Sequence, residues 1–282
     1  MNDDLAKQLL EQLDKLTRHV EKLAPTLPTT NWNSHAFRWR KPGYLQTVDH
    51  PHKIKLDDLL HIERQKQALI RNTEKFIQGK PANHALLWGS RGTGKSSLIK
   101  GLLNEYANQK LRLIEVEKQD LINLPDIVES LYTRKERFIL FSDDLSFEAD
   151  DPGYKHLKAA LDGSIATPPE NVLIYATSNR RHLMPEFMQE NQQTQLIENE
   201  LHHGEAVEEK ISLSERFGLW LSFYPLKQEQ YLDIVYHWLK QLNVDIRDKK
   251  KMETTALQFA LYRGSRSGRV ARQFVNDWST PD

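Results

Sequence analysis

The eight residues GSRGTGKS, Gly89 to Ser96, constrain this chain more than any other stretch. They satisfy the spacing G-x-x-x-x-G-K-[ST] without deviation, between an apolar run, HALLWG, and a helix-forming run, GKSSLIKGLLNEYAN. A strand that ends in such a loop and restarts as a helix turns backbone N–H groups inward, and the helix N-terminus adds partial positive charge. Phosphate is the ligand that such a cradle suits. The expected contacts run through Gly89, Ser90, Arg91, Gly92, Thr93, Gly94, Lys95, Ser96 and Ser97. Lys95 is expected to reach the β and γ phosphates, and the Ser96 hydroxyl to ligate Mg²⁺. No N-K-x-D guanine-reading motif follows, so ATP is favoured over GTP.

A second run, FILFSDDLSFE from Phe138 to Glu148, drives a buried strand into two adjacent aspartates. Beside a phosphate loop, Asp143 reads as a second Mg²⁺ ligand and Asp144 as the carboxylate facing the attacking water. Two like charges so close require a cation between them or a proton on one. A bare strand end capped by turn-forming aspartates is the structural alternative.

Around these motifs the chain alternates strands with helices. HALLWG, LRLIEVEK, RFILFSDD, NVLIYATSN and LWLSFYP read as strands, separated by helical runs of ten or more residues. Continuous apolar strands of this kind are covered on both faces, which predicts an α/β fold with a doubly wound, five-stranded parallel sheet. LDDLLHIERQKQALIRNTEKFIQG reads as a helix leading into it. The polar stretch between Pro185 and Leu213 reads as an exposed insertion with some helix. Beyond Pro225 only helical patterns follow. The expected division is an amphipathic helix at 1–24, a linker and arm at 25–55, an α/β core at 56–225 and a small helical lid at 226–282.

In the first of these, Ala6, Leu9, Leu13, Leu16, Val20 and Leu23 repeat at alternating spacings of three and four, about three heptads. Packing on its own domain is the simpler expectation and association with a partner the other. HAFRWRKPGYLQTV interleaves aromatics with Arg38, Arg40 and Lys41, a pattern that can grip nucleic acid or simply fold back onto the core.

Composition removes several function classes. The 39 basic and 39 acidic residues balance, so no global charge favours DNA or an anionic membrane, and any nucleic-acid site must be local. Without cysteine there are no disulfides, thiolate zinc sites or cysteine nucleophiles. No apolar run is long enough to span a bilayer, and MNDDLAKQLLEQLDK lacks the form of a secretory signal. A cytoplasmic protein without membrane contact is expected.

These residues together resemble the AAA+ P-loop ATPases from about Leu56 onward. GSRGTGKS is similar to Walker A and FILFSDD to Walker B. VLIYATSN resembles the sensor 1 strand, ending in Asn179; LSERFG resembles the arginine-finger segment, carried by Arg216. SGRVARQF is similar to sensor 2, carried by Arg269, with Arg272 one turn later as the second candidate. More narrowly, ILFSDDLSFE, ATSNRRHL and ISLSERFGLWLSFYP resemble a bacterial AAA+ family of unknown function.

The resemblance implies an ATPase whose lid moves on the core, with catalytic roles for Lys95, Asp144, Asn179, Arg216 and Arg269. It also implies adenine contacts near Leu59 to Ile62, with Ile62 the expected residue. A trans-acting Arg216 implies a homo-oligomer, a ring or spiral, which remodels or loads a protein partner. The alternatives are a nucleic-acid-associated loader, using the Phe37 to Lys41 patch or the basic lid segment, and a nucleotide-gated module with little turnover. Family members commonly carry Asp-Glu where this chain has Asp143-Asp144. Aspartate is one methylene shorter, and Glu148 is the next carboxylate able to act as base.

Overall fold

The computed structural model describes residues 2–23, 28–147, 152–162, 169–180, 195–197, 200–202 and 213–279. Seven strands form one sheet: β1 (Ala36–Arg40), β2 (Tyr44–Thr47), β3 (Ala85–Gly89), β4 (Leu111–Glu115), β5 (Arg137–Ser142), β6 (Val172–Ser178) and β9 (Leu219–Phe223). Their order is β2-β1-β4-β5-β6-β3-β9, and every neighbouring pair is parallel except β1 with β2.

The five strands read from the sequence occupy the β4 to β9 part of this sheet. The other two come from the arm. Phe37 and Trp39 are buried, and Arg38 and Arg40 pair with Glu115 and Glu117 at 2.6 and 2.8 Å. The apolar side chains of HAFRWRKPGYLQTV thus complete the core, and these two arginines are taken by carboxylates at the end of β4. The arm folds back as a sheet extension.

Side chains alternate across the strands, so each face has its own core. Leu86, Ile114, Phe138, Leu140 and Ile174 pack with α4 (Leu124–Leu131) and α5 (Pro152–Asp162) on one face. Leu87, Leu113, Ile139, Phe141 and Tyr175 pack with α2 (Glu63–Ile77) and α3 (Lys95–Tyr106) on the other.

Two expected helices are shorter than their patterns. Only a 3₁₀ turn, Leu56–Asp58, precedes α2, and His61 takes a positive φ of 62°. Lys66 Nζ donates to the Leu56 and Leu59 carbonyls, and the Glu63 carboxylate accepts from the His61 N–H. Those bonds hold residues 59–62 out of the helix and against the cleft described below. In α4, Pro125 lies in the first turn, and the preceding Lys118–Asn123 is 3₁₀. Proline fits a helix start but not its interior, which sets the boundary.

Of the polar stretch 185–213, the described parts include β7 (Gln195–Ile197) and β8 (Glu200–His202), an antiparallel pair. The helix expected there lies outside the described residues.

After β9 come α6 (Gln228–Gln241), α7 (Lys249–Tyr262) and α8 (Gly268–Trp278), with a separate core around Tyr231, Leu239, Met252, Ala256, Ala271 and Phe274. Asp248 caps α7 and Ser267 caps α8, each side-chain oxygen accepting a backbone N–H from the first turn. At the other end of the chain, α1 (Asn2–Leu23) leaves Leu9, Leu10, Leu13 and Leu16 between 56% and 66% exposed. Packing of this helix on its own domain is not what these leucines do. No helix among the described residues is long and apolar enough to cross a membrane.

Candidate nucleotide site

In open α/β sheets, ligands bind beyond the carboxyl ends of the strands, where the chain connections diverge. Here β3, β5 and β6 end side by side in Gly89, Ser142 and Ser178, each followed by a polar segment. The loop after β3 is tightly seated. Gly89 has φ 127°, and a Cβ there would lie 2.0 Å from the Phe223 carbonyl oxygen of β9, so no larger residue fits. Gly92 has φ 74°, and its Cβ would lie 2.7 Å from Ser267 Oγ at the start of α8. The lid is therefore in contact with the phosphate loop through a glycine.

Lys95 opens α3 and is 6% exposed. Its ammonium donates to the Gly89 and Ser90 carbonyls, both at 2.7 Å, and to Asn179 Oδ1 at 3.1 Å. All three donors are thus satisfied within the core. Burial pulls its pKa down to about 8, with Arg269 and Arg91 acting in the same direction and Asp144 and Asp143 against.

Asp143 and Asp144 take different places. Asp143 Oδ1 accepts from Ser96 Oγ at 2.6 Å and from Thr177 Oγ1 at 2.5 Å. Asp144 has φ 52°, its N–H donates to Thr177 Oγ1 at 2.9 Å, and its carboxylate accepts from Asn179 Nδ2. Arg91 is 3.8 Å from its other oxygen. One Thr177 hydroxyl thus serves both residues, donating to the Asp143 carboxylate and accepting from the Asp144 backbone N–H. Thr177 was not among the residues expected from the sequence. It is the second-last residue of β6, two before Asn179, which follows the strand end.

The cleft between core and lid has a volume of about 690 Å³, within the range of small-ligand sites. Residues Arg91 to Ser97, Asp143, Asp144 and Asn179 line the core wall, Ile62 the side, and Arg269 and Arg272 the lid wall. Gly89 and Ser90 do not line the cleft; their carbonyls accept from Lys95. Arg269 N–H faces the Gly92 carbonyl at 3.4 Å. The Arg272 guanidinium stacks 4.3 Å from the Trp238 ring centroid, and its Nη1 is buried without a hydrogen bond among the described residues.

Arg216 does not join this set. It follows the helical residues 213–215 and is bound to Asp162 at the end of α5. Glu148, the alternative base, lies outside the described residues.

Oxygen donors fit a hard cation. Among the described residues there is no cluster of three or more His, Cys, Asp or Glu able to hold a metal alone. One hydroxyl and one carboxylate, Ser96 and Asp143, match the sparse protein ligation that Mg²⁺ takes when phosphates and water supply the remainder.

The lid meets the segment before α2 at two reciprocal His–Asp contacts, the first a hydrogen bond and the second a close approach without one. His237 Nε2 is 3.0 Å from Asp58 Oδ1, and His61 Nε2 is 3.1 Å from Asp233 Oδ2. Asp233 and His237 lie one turn apart on α6, a spacing that puts both on one face.

A family described as "Protein of unknown function (DUF815)" matches residues 32–281. The chain belongs to this family. Among solved structures, the DUF815 chain is similar to a point mutant of RuvB from Thermotoga maritima, with a TM-score of 0.50 and 18% identity. That match covers 79% of this chain and 64% of the RuvB chain. The fold is thus the RuvB-like AAA+ P-loop fold, as the motifs implied, in a sheet with two strands beyond the five read from the sequence.

Local sequence similarity also links it to the replication factor C large subunits of Ignicoccus hospitalis and Staphylothermus marinus. Identity is 34% over 61 and 74 residues, which is 21% and 26% of this chain. The matched parts are only 13% and 17% of those relatives' length.

Proposed function

We propose that this DUF815 protein is an ATPase that binds Mg·ATP in the cleft between core and lid and acts as an oligomer on a protein partner. One observation carries the reading: Lys95, Asn179 and Asp144 form a continuous hydrogen-bonded chain, beside a Ser96–Asp143 oxygen pair. A P-loop fold alone does not require these five side chains to form those two sets of contacts.

In this reading Lys95 exchanges its loop carbonyls for phosphate oxygens, and Ser96 and Asp143 hold the Mg²⁺, which neutralises charge on the phosphates. Asn179 is bound to Lys95 on one side and Asp144 on the other. A phosphate that draws Lys95 away frees Asn179 to orient a water, which Asp144 accepts a proton from. General-base assistance is worth roughly 10² to 10⁴ in rate. Arg269 and Arg272 meet the phosphates from the lid, so the two lid positions differ in affinity for the nucleotide, as any ligand-driven motion requires. Arg216 acts on the neighbouring copy's nucleotide once it leaves Asp162. The core, the lid and the preceding arm correspond to residues 56–225, 226–282 and 25–55.

A second reading, a switch with little turnover, draws on Asp144 itself. Its short side chain is already held by Asn179, with Arg91 nearby. ATP turnover measured against protein concentration, for wild type, Asp144→Asn and Arg216→Ala, separates these readings. Turnover per chain should rise with concentration and fall by roughly 10³ in Arg216→Ala, the lower end for trans-acting arginines. Concentration-independent turnover untouched by Arg216→Ala would sink the trans-acting role. Negligible wild-type turnover with tight ATP binding would favour the switch.

A further inference from the structure

We propose that α1 is a self-association helix that pairs antiparallel with α1 of a second copy of this chain. The inference stands apart from the ATPase reading. Its starting point is the stripe of Leu9, Leu10, Leu13 and Leu16, each more than half exposed on a helix of 22 residues. A helix this length spans about 33 Å, enough for three heptads.

The sequence says which occupant fits. Leu9, Leu16 and Leu23 fall at one seam position of the heptad, and Ala6, Leu13 and Val20 at the other. The positions flanking the seam that ordinarily carry partner-selecting charge are Leu10, Gln12, Thr17 and His19 in the central turns. No carboxylate or lysine there selects a differently charged partner, and none repels an identical helix.

Charge along the axis sets the direction. The first half carries Asp3, Asp4 and Glu11 against Lys7, and the second carries Lys15, Arg18 and Lys22 against Asp14 and Glu21. Antiparallel pairing lays the acidic half on the basic half; parallel pairing lays like on like. A lipid surface is the other common occupant of an apolar helical stripe, but such helices are rich in cations on the polar face. Here the acidic residues of the helix outnumber its lysines and arginine by five to four.

Antiparallel pairing is isologous and closes at two copies, whereas a ring requires head-to-tail contacts. The helix therefore joins chains in pairs whatever the cores do. Three heptads alone are marginal, so the pairing gains from any second contact between the same copies.

The full chain tests this without risk to the core, because the exposed leucines can be changed where they support nothing. In nucleotide-free buffer, the sedimentation mass of the Leu13→Asp/Leu16→Asp variant should be half that of wild type. Its thermal unfolding midpoint should be unchanged. An unchanged mass overturns the proposal. So does co-sedimentation of wild type with phosphatidylserine/phosphatidylcholine vesicles that the double variant loses, since a membrane is then the occupant.

The absence of cysteine lets single thiols report direction. Under mild oxidation Gln12→Cys, near the helix midpoint, should form a covalent dimer and Leu16→Cys should not. A dimer through residue 16 with none through residue 12 overturns the antiparallel arrangement.

Discussion

On the core wall of the cleft, Lys95, Ser96, Asp143, Thr177, Asp144 and Asn179 are joined through hydrogen bonds, one of them from the Asp144 backbone N–H. The lid wall meets the same space with Arg269 and Arg272, one beside a loop carbonyl and the other stacked on Trp238. Ser96, Asp143, Thr177, Asp144 and Asn179 are short side chains with few rotamers to lose, and Lys95 is already held by three acceptors, so the core wall is organised before a ligand arrives. On the lid wall, Arg272 Nη1 is buried without a hydrogen bond among the described residues, a donor that a bound ligand would organise. In the proposed reading, chemistry falls to the core wall and sensing to the lid wall.

The sharpest way to break that division is Asp144→Asn. Loss of the proton acceptor should lower ATP turnover by roughly 10² to 10⁴ with ATP affinity preserved, read by steady-state kinetics beside equilibrium binding. Undiminished turnover would move the base to Glu148.

Acidity provides the next test. Burial pulls the Lys95 pKa down to about 8, and bound phosphate favours its charged form. ATP affinity should therefore be flat below pH 8 and fall above it, by up to about tenfold per pH unit, as binding takes up a proton. The same titration on Lys95→Arg should remain flat over that range, since guanidinium does not deprotonate there.

Thr177→Val keeps the shape but removes the hydroxyl shared by Asp143 and the Asp144 N–H. About a tenfold loss of turnover is expected, ~1.4 kcal/mol, in line with a buried polar group left unpaired. Arg269→Ala should cost least, about three- to fivefold in turnover, as an exposed charge removed from one side of the cleft. If the lid arginine matters more than Asp144, the division between the walls is wrong.

The core wall was largely legible in the sequence because its chemistry is local. A phosphate loop needs glycines at fixed positions, and Lys95 and Ser96 follow at fixed offsets. Asp143, Asp144 and Asn179 end strands whose apolar runs are themselves visible. Thr177 escaped because a threonine inside ATSN is equally a strand former, and only β5 beside β6 reveals the aspartates on its hydroxyl. The added strands β1 and β2 escaped because alternating aromatics and arginines suit either an arm or a sheet edge. What decides between them is the pair Glu115 and Glu117, nearly eighty residues away. Arg216 was readable as a residue of interest, but its bond to Asp162 depends on how α5 ends.

The two His–Asp contacts between α6 and the segment before α2 bear on how the lid can travel. One attachment alone would be a tether, permitting swivel in any direction. In the proposed cycle, Asp58 facing His237 and His61 facing Asp233 favour turning of the lid about the edge at residues 58–61, while the Arg269 N–H beside the Gly92 carbonyl is the contact such turning would open. Leu59 and Leu60 lie between the two His–Asp contacts and line the same cleft, so a ligand seated there would bear on the hinge edge itself.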